Sequence, residues 1–282
     1  MIQVNIMGQE RMDKENQKPW ALVTGASAGI GAEFCRQLAA QGYQLVLVAR
    51  RIDKLQQIAD ELRKSHDTHS LIIRADLSQQ DACRSVVKHL EDENIHVEYL
   101  VNNAGYGLPG SFHVPGWQDH ANFIQVMMTA VCELTWHLLP GMQQRQRGFI
   151  VNVASIAGLV PSAAGHTLYG ASKSFLIKFS EALAQENEDT GVKVTALCPG
   201  FTYSEFHDVN GTREMISKLP GYLWLDASDV VEDTIKAMAA DKVKPLVVPG
   251  MQYKFVVFAN RYLPWLAAIL ARRTAKYFRI TD

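Results

Sequence analysis

Cysteine is scarce in this chain. The 282 residues hold four, Cys35, Cys83, Cys132 and Cys198, and none stands in a C-x-x-C pair. That spacing argues against a disulfide framework and reads as reduced thiols in a cytoplasmic protein. His66 and His69 are close together, but their polar stretch supplies no second ligand pair, so no metal is expected. Net charge is small too: 28 basic against 29 acidic residues leave −1, and no overall basic field exists to gather the phosphates of a nucleic acid. Met1–Gly8 has neither a basic start nor a sustained apolar core, so no secretory signal is expected, and Gln9–Lys18 reads as a polar lead-in. No repeat, low-complexity tract or linker divides the rest of the chain. The organisation expected is a lead-in over 1–18, one domain over 19–250 and a helical extension over 251–282.

What the chain does have is apolar residues, 48 % of the total, in short runs that alternate with amphipathic segments. Strands are expected at Trp20–Thr24, Gln44–Ala49, Leu71–Ala75, Tyr99–Asn102, Gly148–Ala154, Val192–Cys198 and Pro245–Val248. Helices are expected at Ile30–Ala40, Ile52–Lys64, Gln79–Glu91, Asn122–Gln144 (interrupted near Pro140), Leu168–Glu188 and Ser228–Ala240. Near-continuous apolar strands separated by helices predict an α/β fold, a doubly wound parallel sheet of about seven strands covered on both faces.

The first strand runs into Thr24-Gly25-Ala26-Ser27-Ala28-Gly29-Ile30-Gly31. Gly25 suits a tight turn, Gly29 a close backbone approach to a pyrophosphate and Gly31 close packing of the helix. The amides at that helix start favour anionic phosphate. The spacing G-x-x-x-G-x-G is not the common dinucleotide fingerprint, but the strand before it and the helix after it supply the required context. Further on, Tyr169 and Lys173 stand four residues apart, on one helical face. An ammonium beside a phenol favours the phenolate, so Lys173 is expected to lower the Tyr169 pKa and make it a proton donor or acceptor.

Taken with Asn102-Asn103-Ala104-Gly105, Ser155 after the fifth strand and Pro199-Gly200 after the sixth, these motifs resemble, in order, those of the short-chain dehydrogenase/reductase family. The resemblance covers about Trp20 to Gly250. It implies a Rossmann-type sheet and hydride transfer between a nicotinamide and a carbonyl or alcohol. It also implies roles: Tyr169 exchanges the proton, Ser155 hydrogen-bonds the same oxygen, and Lys173 tunes Tyr169 and holds the nicotinamide ribose. The cofactor set it implies is Gly25, Ser27, Gly29, Ile30, Gly31, Asp76, Leu77, Asn103, Ala104, Gly105, Tyr169, Lys173, Pro199, Gly200 and Ser204. Family members often pair into dimers or tetramers, so a homo-oligomer is implied as well.

Two further absences matter against that family pattern. Ala49 ends the second strand where NAD-preferring members place an acid, and Arg50 and Arg51 follow. A guanidinium pairs with a 2′-phosphate that an acid would repel, so NADP(H) is expected over NAD. The family's helix Asn, which helps hold a water next to the lysine, is missing: the matching position is Met127, and a thioether cannot replace an amide. Either a water or another side chain such as Thr129 takes over, or the proton relay is weakened. Met127 therefore keeps open a second reading, a non-catalytic NADP(H)-binding sensor or interaction subunit.

The stretch Phe201–Trp224 holds Phe201, Tyr203, Phe206, Tyr222, Leu223 and Trp224, fitting an apolar pocket for a lipophilic carbonyl or a lid that packs its own aromatics. Beyond Gly250 the extension mixes apolar runs with Lys254, Arg261, Pro264, Arg272, Arg273, Lys276 and Arg279. It is too broken to span a membrane, and packing within the protein or oligomer, a flap, or contact with a membrane surface stay open.

Overall fold

The computed structural model describes residues 18–108, 110–162, 165, 167–205 and 220–263. Among them, strands β1 (Trp20–Thr24), β2 (Gln44–Ala49), β3 (Ser70–Arg74), β4 (Val97–Asn102), β5 (Gly148–Val153), β6 (Val192–Leu197) and β7 (Leu246–Val247) alternate with helices. These are α1 (Gly29–Ala40), α2 (Ile52–His66), α3 (Ala82–Asp92), α4 (Trp117–Ile124), α5 (Ala130–Gln144), α6 (Thr167–Glu186), α7 (Ala227–Ala239) and α8 (Met251–Tyr262). The strands form one sheet in the order β3-β2-β1-β4-β5-β6-β7, and every pairing is parallel. This is the expected Rossmann-type doubly wound architecture.

Period-2 alternation sends successive side chains of each strand into different cores. Ala21 and Val23 of β1 pack with Phe34 and Leu38 of α1 and Leu55 and Leu62 of α2. Leu22 between them packs on the other face with Val86 and Leu90 of α3 and Leu134 of α5. Both faces being buried is why β1 and β2 read as unbroken apolar runs. Each fully buried Leu or Phe of this kind stabilises the fold by about 1.5–3 kcal/mol.

From β1 the sheet grows one way through β2 and β3 and the other way through β4 to β7. Strand order reverses between β1 and β4, and a crevice opens at the carboxyl ends of the strands there. The glycine-rich loop after β1, Asn103 after β4, Ser155 after β5 and Pro199 after β6 all lie on that one edge.

The expected elements shift where local chemistry intervenes. Asp76 Oδ1 accepts from the Ser78 amide at 3.1 Å and the Ser78 hydroxyl at 2.9 Å, a turn that delays α3 to Ala82. The long helix starts at Trp117, five residues before its expected start, and contains a π-helical turn at Gln125–Thr129. Pro140 does not interrupt α5. It removes a hydrogen bond to the carbonyl of Trp136, and both residues are exposed, so that carbonyl is open to solvent. His66 closes α2 and His69 packs edge-on against Trp20 at 5.6 Å.

Candidate active site

The glycine-rich loop is shaped by hydrogen bonds to the loop after β4. Asn103 Nδ2 donates to the carbonyls of Thr24 (3.0 Å) and Gly25 (3.2 Å), while Thr24 Oγ1 accepts from the amides of Asn103 and Ala104, each at 3.0 Å. The Asn103 side chain thus holds the glycine-rich loop in shape. Gly25 and Gly29 adopt φ of +65° and +55°, the left-handed region that favours glycine. No side chain caps the N-terminus of α1, where Ala28 is extended, so its first amides are free to meet an anion. Ile30 and Leu77 send their side chains into the two cores, and any part they take in cofactor binding falls to their backbones.

Arg51 reaches this loop. It donates to Ser27 Oγ at 3.1 Å and forms an ion pair with Glu205 at 2.8 Å, whereas Arg50 stays exposed at the end of β2. Ser204, next to Glu205, lies over Gly29 so closely that a Cβ on that glycine would come within 2.8 Å of the serine Cβ. The segment after Pro199-Gly200 therefore folds down onto the glycine-rich loop.

Ser155, Tyr169 and Lys173 converge. Ser155 leaves β5 in an extended conformation and its hydroxyl accepts from the Ala157 amide at 3.1 Å, capping the short 3-10 turn Ile156–Gly158. Tyr169 hydrogen-bonds the same hydroxyl group. Lys173, one turn further along α6 and only 5 % exposed, donates to the Val153 carbonyl at 2.7 Å and stands over the Tyr169 ring, 5.6 Å from its centroid. Cys198, fully buried, accepts through its sulfur from the Ser155 amide and adjoins Lys173.

Burial sets the proton affinities here. It pushes the Tyr169 phenol up to about 12, against the downward pull of the Ser155 hydrogen bond, and brings the Lys173 ammonium down to about 8. The expectation that Lys173 would lower Tyr169 is not met in this structure: burial sets the phenol high, and the downward pull on it comes from the Ser155 hydrogen bond. The phenol consequently holds its proton at neutral pH, the state of a donor. Lys173 is charged below about pH 8 and neutral above it. Ketone reduction should therefore run at a plateau below that value and decline as pH rises through it, a profile that steady-state rates across pH would check.

Met127 is buried in the π-helical turn, with its sulfur so near Gly105 that a Cβ there would approach within 2.9 Å. Thr129 is exposed, whereas Lys173 is buried. A π-helical turn interrupts the regular i→i+4 ladder and is frequent at functional sites.

Several contributors were given no role by the sequence. Asn102 Nδ2 donates to Thr135 Oγ1 (3.2 Å) and Asn152 Oδ1 (2.9 Å), and Asn152 Nδ2 donates to Ser180 Oγ (2.8 Å), a buried polar chain that ties α5 and α6 to the central strands. Tyr253 of α8 accepts from the Phe201 amide at 2.9 Å, donates to the Leu223 carbonyl, and lays its ring on Gly200. Asn260 of α8 donates to the Leu159 carbonyl at 3.0 Å, just beyond the Ser155 turn. Helix α8 therefore braces the loop after Gly200 and the one after the Ser155 turn. Of the aromatics between Phe201 and Trp224, Tyr203 stacks on Trp224 at 4.8 Å and Phe201 meets it at 5.8 Å, so three are spent on one another. Phe206 lies outside the described residues.

The model of the short chain dehydrogenase family matches residues 19–214. The chain belongs to that family. It is 36 % identical over 183 residues to 17-beta-hydroxysteroid dehydrogenase type 3 of Mus musculus, covering 64 % of this chain and 59 % of that enzyme. It is 31 % identical over 208 residues to 7beta-hydroxysteroid dehydrogenase of Collinsella aerofaciens, covering 74 % of this chain and 75 % of that one. A short-chain dehydrogenase from Sphingobium yanoikuyae in complex with NADPH superposes with a TM-score of 0.76 at 28 % identity, over 94 % of this chain and 98 % of its own. One from Burkholderia phymatum in complex with NAD gives 0.76 at 25 %, over 88 % and 95 %. This short-chain dehydrogenase thus stands among oxidoreductases that use nicotinamide cofactors.

Proposed function

We propose that this short-chain dehydrogenase reduces the carbonyl of a lipophilic substrate with NADPH and can run the reverse oxidation. The observation that carries the reading is the convergence of Ser155, Tyr169 and Lys173 on the edge that holds the glycine-rich loop. The bound nicotinamide would supply the hydride. The Ser155 hydroxyl orients the substrate oxygen and steadies the charge that develops on it. Tyr169, protonated at neutral pH, gives that oxygen its proton. Lys173 offsets the charge left on the phenolate. The assembled group also favours catalysis over a binding-only role.

The preference for NADPH rests on Arg51 and Ser27, which meet at 3.1 Å beside the glycine-rich loop, and on the lack of an acid at Ala49. A charge-assisted hydrogen bond of this kind contributes about 1.5–3 kcal/mol. Arg51→Ala should weaken NADPH binding by about ten- to a hundredfold while leaving NADH within a few fold, which titration of cofactor fluorescence would show. Equal losses for the two cofactors would contradict the assignment. The lipophilic class is supported by the hydroxysteroid names of the relatives. Turnover of NADPH against a panel of bulky cyclic ketones tests it, and reduction confined to small polar carbonyls would contradict it.

A homo-oligomer, dimer or tetramer, fits the large exposed side chains of Trp117 and Trp136 on α4 and α5. The four cysteines are free, in keeping with the cytoplasmic reading.

A further inference from the structure

Helix α8 carries an apolar stripe that the fold leaves open. Met251, Phe255, Phe258 and Tyr262 are 74 %, 55 %, 52 % and 61 % exposed. At 100° per residue the four fall within about 60° of one another around the helix, on the face opposite buried Tyr253. Lys254 and Arg261, both exposed, lie side by side along one edge of the stripe. Tyr222, 73 % exposed, adds to its start, because Gln252 donates to the Tyr222 carbonyl at 3.2 Å.

Charge decides what such a face fits. From Met251 to Asp282 the sequence holds six basic residues, Lys254, Arg261, Arg272, Arg273, Lys276 and Arg279, and one acid, Asp282, in a chain whose totals are 28 and 29. Lys254 and Arg261 along a narrow apolar stripe, in a sequence segment of basic excess, form the pattern of a helix lying in a lipid–water interface, with aromatic rings in the acyl boundary and cations among anionic headgroups. A second copy of the chain would set the same basic edge near its own excess of positive charge. No helix among the described residues is long and apolar enough to cross a membrane, which fits lying on a bilayer and not spanning it.

We infer that α8 docks this protein on an anionic lipid surface. Docking there would also bring the residues that α8 holds beside the candidate site close to the bilayer. Tyr253 and Asn260, on the inner side of the same helix, hydrogen-bond Phe201, Leu223 and Leu159, the last just beyond the Ser155 turn. A carbonyl substrate dissolved in lipid then has a short way to the proton donor. This last step rests on the proposed lipophilic substrate. The docking itself does not, and it is measured without turnover.

The test is sedimentation of the full-length protein with vesicles of phosphatidylcholine, with and without phosphatidylserine, at low and high salt. Binding should be strong only with phosphatidylserine and should weaken as salt rises. The double variant Phe255→Ser/Phe258→Ser alters exposed positions only, so NADPH turnover with a water-soluble ketone should stay unchanged while vesicle affinity falls by about tenfold or more. Lys254→Glu/Arg261→Glu should remove the preference for phosphatidylserine. Failure of the wild type to bind any vesicle would overturn the inference, as would equal binding by the double variant. So would an oligomer that the double variant dissociates with no change in vesicle binding, since the stripe would then belong to a second copy.

Discussion

Tyr169→Phe is expected to lower the rate of ketone reduction by about 10²–10⁴-fold, the usual contribution of a positioned general acid. The ring and its packing over Lys173 survive the change; only the hydroxyl goes. Ser155 still offers its hydroxyl to the substrate oxygen, but no group with a transferable proton stands in contact with it. Cofactor affinity should move little, because the glycine-rich loop and Arg51 are untouched. Loss of kcat with an unchanged NADPH dissociation constant separates a proton-transfer role from a structural one. A variant that keeps the wild-type rate would show that the proton comes from elsewhere.

Gly31→Ala should remove NADPH binding by the opposite route, leaving the catalytic group in place and breaking the cradle. A Cβ at this position would sit 2.3 Å from the Gly25 carbonyl oxygen and 2.4 Å from Asn103 Nδ2. Those atoms belong to the hydrogen bonds that shape the loop, so neither can withdraw without opening it. Overpacking of this kind costs about 1–3 kcal/mol in stability. The larger effect falls on the cofactor, whose affinity should drop beyond detection in a fluorescence titration while circular dichroism still reports a folded sheet. Wild-type affinity in this variant would mean that the loop is more pliable than its hydrogen bonds indicate.

The sheet was legible in the sequence because strands buried on both faces must be apolar throughout, and Leu45-Val46-Leu47-Val48 leaves little choice. The helix ends were less legible. Asp76 and Ser78 settle into a turn that a helical pattern does not reveal, and Pro140 is tolerated only because its neighbourhood is exposed. The positions of Ser155, Tyr169 and Lys173 followed from motif order, whereas their proton affinities did not. Spacing shows that a lysine will lie beside a tyrosine; it says nothing of how much water both lose, and that loss sets the Tyr169 phenol high. The π-helical turn at Met127 was equally hidden, since no local pattern in Gln125–Thr129 sets it apart from a regular helix. Tyr253 and Asn260 act on the site from α8, far away in the chain, and no local pattern marks them.

The central claim is hydride transfer to a carbonyl at the Ser155–Tyr169–Lys173 group. Its most direct test is to incubate the protein with a bulky cyclic ketone and NADPH carrying deuterium on both positions of the nicotinamide C4, then to analyse the alcohol by mass spectrometry. One deuterium is expected on the carbinol carbon, in alcohol formed by wild type and lost with Tyr169→Phe. NADPH bound tightly with no alcohol formed across the ketone panel, or an alcohol without deuterium, would contradict it.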